Sequence, residues 1–116
     1  MSTSSCLFCR IVAHEAPAEI LHETETVLAF RDIRPGAPTH ILLIPKEHLR
    51  DVRDLEDRHA GMVLDLVQAG AHLARTEKVD ESGWRLVANV GPDARQSVFH
   101  LHFHLLGGRP MAWPPG

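Results

Sequence analysis

The chain has 116 residues, a hydrophobic fraction of 44% and a formal net charge of −3. So short a chain has interior enough for one core, which predicts a single domain over residues 1–116, and its apolar content excludes a disordered polymer. The negative balance and the lack of any Lys/Arg run argue against a nucleic-acid partner, and no apolar stretch nears the roughly 20 residues of a membrane-spanning helix.

The first ten residues, MSTSSCLFCR, lack the basic-then-apolar pattern of a secretory signal, which predicts a cytoplasmic protein. In a reducing compartment Cys6 and Cys9 point to thiol chemistry or metal binding in preference to a disulfide. Residues 6–14 read as a short helical turn, and residues 20–23 and 27–31 as two short strands. RPGAP at 34–38 is a loop, because proline and glycine both interrupt regular structure. THILLIP at 39–45 is β-branched and apolar and reads as a buried strand ended by Pro45. Residues 57–77 carry helical spacing: Met62, Leu66, Ala69 and Leu73 recur on one face, with Val63, Val67, Gly70 and Ala74 beside them. WRLVAN at 84–89 predicts another strand, Gly91–Asp93 a loop, and residues 98–106, VFHLHFHLL, the most regular strand of the chain. The fold expected is α+β: a five-stranded antiparallel sheet, one long helix on one face, and a short N-terminal helix.

Nine histidines are unusual in such a chain, and three of them, His100, His102 and His104, alternate with apolar residues. On a strand they share one face, with Phe99, Leu101, Phe103 and Leu105 on the other beneath the helix. Neighbours two apart lie roughly 6.6 Å apart, and the outer pair roughly 13 Å. Three readings compete: exposed polar residues on a half-buried strand, a zinc site, or a catalytic row whose central imidazole attacks while its neighbours move protons and hold charge. One ion is hard to reach from donors spread so far.

The segment QSVFHLHFHLLGGR at 96–109 resembles the signature of the histidine-triad superfamily, with His100, His102 and His104 alternating with Leu101, Phe103, Leu105 and Leu106. CLFCRIV at 6–12, AFRDIRPGAPTHILLIPKEH at 29–48, the strand ending in Asn89 and the terminal WPPG are similar to its Hint branch, the nucleoside phosphoramidases. That resemblance implies that His102 is a nucleophile toward the α-phosphorus of a purine nucleotide conjugate, expelling an amine before water releases the nucleoside monophosphate. It implies that His104 holds a phosphate oxygen, Ser97 donates to the phosphate or the departing group, and His40 and His100 belong to a histidine relay. Arg95 and Gln96 would offer backbone amides to the phosphate, and Asp32 would take the ribose hydroxyls. Asn89 would contact sugar or phosphate, and Leu7, Phe8, Phe30, Ile33 and Leu42 would form the slot for the base. Arg95 departs from the small residue usual there. Cys6, Cys9, His48 and His100 would bind a structural zinc, with no other cofactor. The branch further implies a homodimer with the sheet continued across it and with Trp113 in the partner's site. Rival readings are a dinucleoside polyphosphate hydrolase, a nucleotide-binding scaffold without chemistry, and a zinc-dependent interaction module.

Overall fold

The structure, a computed structural model, describes residues 5–116. In chain order it comprises α1 (Leu7–Val12), β1 (Ile20–Glu23), β2 (Val27–Arg31), β3 (Thr39–Pro45), α2 (Ala60–Thr76), β4 (Trp84–Val87) and β5 (Phe103–Gly107), with 3-10 turns at Val52–Asp54, Asp57–His59 and Pro92–Ala94. The strands form one antiparallel sheet in the order β1-β2-β3-β5-β4. No helix among the described residues is long and apolar enough to cross a membrane.

Alternation along the strands divides the core in two. Val27 and Ala29 of β2, Ile41 and Leu43 of β3, and Leu105 of β5 pack with Leu66, Ala69, Leu73 and Ala74 of α2. Leu28, Phe30, Leu42 and Ile44 face the other way and pack with Phe8 and Ile11 of α1. The central strands are thus covered on both sides, which is why β2 and β3 read as nearly continuous apolar runs. Gly70 lets α2 lie close to the sheet, since a Cβ there would stand 3.2 Å from Leu86.

The helix expected over 57–77 begins at Ala60, after a 3-10 turn in which the Glu56 amide donates to His59 Nδ1 at 2.9 Å. Val67, expected beside the core, is 42% exposed, as Leu64 is at 55%, because the helix meets only one sheet face and these positions fall on its outer side. The strand expected over 84–89 stops at Val87.

The strand expected over 98–106 is reduced to Phe103–Gly107. Its ladder with β3 runs from Thr39↔Gly107 to Leu43↔Phe103 and ends as β3 approaches Pro45, which has no N–H to donate. The chain then turns: the Leu101 amide donates to the Leu49 carbonyl at 2.7 Å. Phe99, expected under the helix, is instead 58% exposed.

Candidate active site and metal centre

Because residues 98–102 leave the ladder, the three histidines do not form one even row, and each has its own surroundings. His104 sits on β5 opposite Leu42. His40, two residues before Leu42 on β3, points to the same side, and its Nε2 is 2.8 Å from His104 Nδ1. The Gly36 amide donates to His40 Nδ1 at 2.8 Å. An amide cannot accept, so His40 Nδ1 holds the lone pair and its Nε2 holds the proton. That proton is donated to His104 Nδ1, which leaves the second proton of the pair on His104 Nε2. Asp32, at the end of β2, places Oδ2 3.4 Å from His40 Nε2, while its Oδ1 accepts from the Arg34 amide at 2.8 Å.

His102 is buried, and its Nδ1 lies 2.7 Å from the carbonyl of His100. A carbonyl only accepts, so His102 carries a proton on Nδ1, and the lone pair of the neutral ring falls on Nε2. Its ring stands edge-on to Phe8, with centroids 5.2 Å apart, and 5.0 Å from the ring of His104. Burial pushes the His104 imidazole down to about 4, and nearby His102 and His40 push the same way. Burial also lowers His40, against the attraction of Asp32. Both rings are therefore neutral at pH 7.

These groups open on a cavity of about 230 Å³ between α1 and the sheet. Leu7, Phe8, Phe30, Ile33 and Leu42 line it, with Asp32, Ser97, His102 and His104. An apolar slot thus has a carboxylate, a hydroxyl and two imidazoles on its walls. Ile11, Pro17, Ala18, Arg31 and Val98 also line it and escaped the sequence reading, since nothing in their spacing distinguishes them from core. Arg31 is held bidentately by Glu77 at 2.8 and 2.9 Å and by Glu19 at 3.2 Å, which fixes the end of β2 to the end of α2.

Four of the expected residues stand apart. Asn89 follows β4 and does not line the cavity. The amides of Arg95 and Gln96 are already donated, to Pro92 at 3.0 Å and Gly91 at 3.2 Å, so they serve the turn and not a ligand. The Gln96 side chain accepts from the Gly91 amide and donates to the Arg50 carbonyl. Trp113 is 83% exposed and lines no part of its own chain's cavity.

The ring of His100 belongs to a second centre. Its Nδ1 is 3.5 Å from Cys6 Sγ, 3.5 Å from Cys9 Sγ and 3.2 Å from His48 Nδ1, and Cys9 Sγ is 3.1 Å from His48 Nδ1. Tetrahedral zinc with Zn–S near 2.3 Å and Zn–N near 2.0–2.1 Å sets S···N at about 3.6 Å and N···N at about 3.3 Å. The donors thus fit such an ion with little movement. His100 Nε2 donates to the Pro45 carbonyl at 2.9 Å, which leaves the Nδ1 lone pair for a metal. Asp32, His40 and His104 also gather within 4.8 Å of one another. There the Gly36 amide keeps the proton on His40 Nε2, the atom a metal would need bare.

Known proteins share this sequence and fold. The HIT domain model matches residues 13–111. The "14 kDa zinc-binding protein" of Zea mays is 46% identical over 118 residues, covering 100% of this chain and 91% of its own. The adenylylsulfatase HINT1 of Arabidopsis thaliana is 44% identical over 117 residues, covering 99% and 79%. The crystal structure of a HIT family hydrolase from Legionella pneumophila Philadelphia 1 superposes with a TM-score of 0.94 at 47% identity, covering 97% of this chain and 100% of that one. With its sheet, its histidine segment and nearly its full length shared in this way, the chain belongs to the HIT-domain family.

Proposed function

We propose that the protein hydrolyses purine nucleoside phosphoramidates, such as adenosine phosphoramidate and AMP–lysine conjugates, to the nucleoside monophosphate. The observation that carries this reading is the tautomer of His102, a residue lining the cavity, whose Nδ1 donates to the His100 carbonyl at 2.7 Å so that the lone pair of the neutral ring falls on Nε2. The Nε2 lone pair attacks phosphorus, and the P–N bond breaks with its electron pair going to the amine. The amine takes a proton through the Ser97 hydroxyl, which water replenishes. His104 Nε2–H donates to a non-bridging oxygen, where charge builds in the transition state. Water then attacks the nucleotidyl-imidazole, and His102 leaves as neutral imidazole with its Nδ1 proton still in place, releasing one proton to solvent. Asp32 holds the ribose hydroxyls, and Leu7, Phe8, Phe30, Ile33 and Leu42 hold the base. The name of the Arabidopsis relative favours adenylyl sulfate as a second substrate for the same displacement.

Cys6, Cys9, His48 and His100 hold a structural zinc in this reading, supported by their donor spacing and by the name of the maize relative. The protein acts as a cytoplasmic homodimer. Strand β4 ends the sheet with an unpaired edge, and Leu64 and Val67 on the outer side of α2 are exposed apolar neighbours of the kind a partner covers. The exposed Trp113 then reaches the partner's site. The test is acid-quenched mass spectrometry during turnover of adenosine phosphoramidate. A nucleotidyl adduct on His102 is expected, and His102→Ala loses both adduct and turnover while binding AMP within about tenfold of the parent. Turnover by His102→Ala would assign the nucleophile elsewhere.

A further inference from the structure

Among the described residues, three non-glycines have positive φ: His14, Lys78 and Arg95. His14 and Lys78 follow the C-caps of α1 and α2, where a left-handed residue closes a helix. Arg95, at φ 65°, closes only the 3-10 turn Pro92–Ala94, two residues before Ser97. Glycine adopts this conformation freely and arginine rarely does, so the turn carries this side chain against a local preference.

The walls of the cavity supply no unpaired arginine or lysine. Its lining arginine, Arg31, is neutralised by Glu77 and Glu19. The amides of Arg95 and Gln96 are used within the turn. On the two loops that bring Asp32 and Ser97 to the cavity, the cationic side chains forming no hydrogen bond or ion pair with a described residue are Arg34 and Arg95. Arg34 adjoins the proposed ribose end. Arg95 adjoins Ser97, from which its Cα is at most about 7 Å away, within reach of an extended arginine side chain. Asp93, two residues earlier on the same turn, forms no ion pair with it.

We infer that Arg95 is a specificity-determining residue that favours substrates whose departing amine carries a carboxylate beside the scissile P–N bond. This rests on the phosphoramidase reading above. Ser97 is the group proposed to serve the departing amine, so a guanidinium extended from the neighbouring turn would offset a negative charge on that side of phosphorus, which neutral imidazoles cannot.

The test compares kcat/KM for AMP joined through nitrogen to glycine with that for the glycine methyl ester conjugate, which differ in one charge. The carboxylate/ester ratio of the wild-type protein should exceed that of Arg95→Gln about three- to fivefold, the size of an exposed charge pair. Arg95→Lys should keep most of the ratio, Arg34→Gln should leave it unchanged, and added salt should reduce it. Arg95→Gly, which relieves the left-handed backbone, should behave as Arg95→Gln and guards against a folding artefact. Equal ratios in wild type and Arg95→Gln, with both substrates cleaved, overturn the inference and leave the phosphoramidase reading standing. If the wild-type protein cleaves neither substrate, that reading fails and the inference fails with it.

Discussion

The relay can be taken apart at His40, because its two ring nitrogens do different work. Nδ1 accepts from the Gly36 amide and Nε2 donates to His104, each at 2.8 Å. Asparagine carries its carboxamide oxygen near the place of Nδ1, and glutamine can bring its amide N–H near the place of Nε2. His40→Asn therefore keeps the bond to Gly36 and loses the donor to His104; His40→Gln keeps the donor. His40→Ala loses both, and at about 0.5–1.5 kcal/mol per bond it should cost about 1–3 kcal/mol of stability. His40→Asn should recover up to half of that. Catalysis should follow the other nitrogen. Without the His40 proton, His104 is free to place its own proton on Nδ1 and so withdraw Nε2–H from the phosphate oxygen. A lost donor at such an oxygen costs roughly 10²–10³ in kcat, and a displaced one somewhat less, so about 10²-fold is expected for His40→Asn and His40→Ala. His40→Gln should retain about a tenth or more of kcat, with KM little changed in all three, because His40 does not touch the substrate. The assay is steady-state hydrolysis of a phosphoramidate with a fluorescent amine, run beside urea unfolding of each variant. A His40→Asn variant as active as His40→Gln, or a His40→Ala variant within twofold of the parent, would refute the tautomer assignment.

Other outcomes can be stated more briefly. In a nuclear magnetic resonance titration the His104 ring should change charge near pH 4, and a midpoint above 6 would contradict its burial between His40 and His102. Since the unfolded chain takes that proton near pH 6.5, the folded state loses stability as pH falls from about 6.5 to about 4 and loses nothing more from this group below that. At free zinc about a thousandfold above its Kd, the Cys6–Cys9–His48–His100 centre should add about 4 kcal/mol, or roughly 15 °C in Tm; Cys9→Ala should abolish this. Chelator-treated protein that remains folded should still cleave phosphoramidates, because the proposed nucleophile is an imidazole; complete loss of turnover would sink that mechanism. Leu64→Asp with Val67→Asp should convert a sedimenting dimer to monomer, and deletion of residues 112–116 should alter leaving-group preference more than AMP affinity.

Most of the fold is legible because the chain alternates faithfully where it pairs. Residues 27–31 and 39–45 are read as strands and end where the strands end. The long helix is legible from Leu66, Ala69 and Leu73, whose spacing fixes the buried stripe. Its outer edge is not, since Val67 is as apolar as a core residue and only the packing partner says which side is inside. The cavity residues Ile11, Ala18 and Val98 escape for the same reason: an apolar side chain that lines a slot carries the same signature as one that fills a core.

The histidine segment departs from its own alternation for a reason that lies in its partner strand. Even alternation over 98–106 predicts one strand, but pairing needs a partner, and the ladder ends as β3 approaches Pro45. The freed Pro45 carbonyl takes the Nε2 proton of His100, which turns that ring's other nitrogen toward Cys6, Cys9 and His48. The turn that carries the ring away leaves the His100 carbonyl 2.7 Å from His102 Nδ1. A single residue therefore joins the thiol cluster through its side chain and holds the Nδ1 proton of His102 through its backbone. The resemblance implies two roles for His100, in a zinc set and in a histidine relay. The structure places the ring with Cys6, Cys9 and His48 and gives His102 only the backbone carbonyl. A flat strand would have kept these contacts apart: its carbonyls would be committed to the ladder, and its three imidazoles would stand in a row with nothing to decide which nitrogen of each holds the proton.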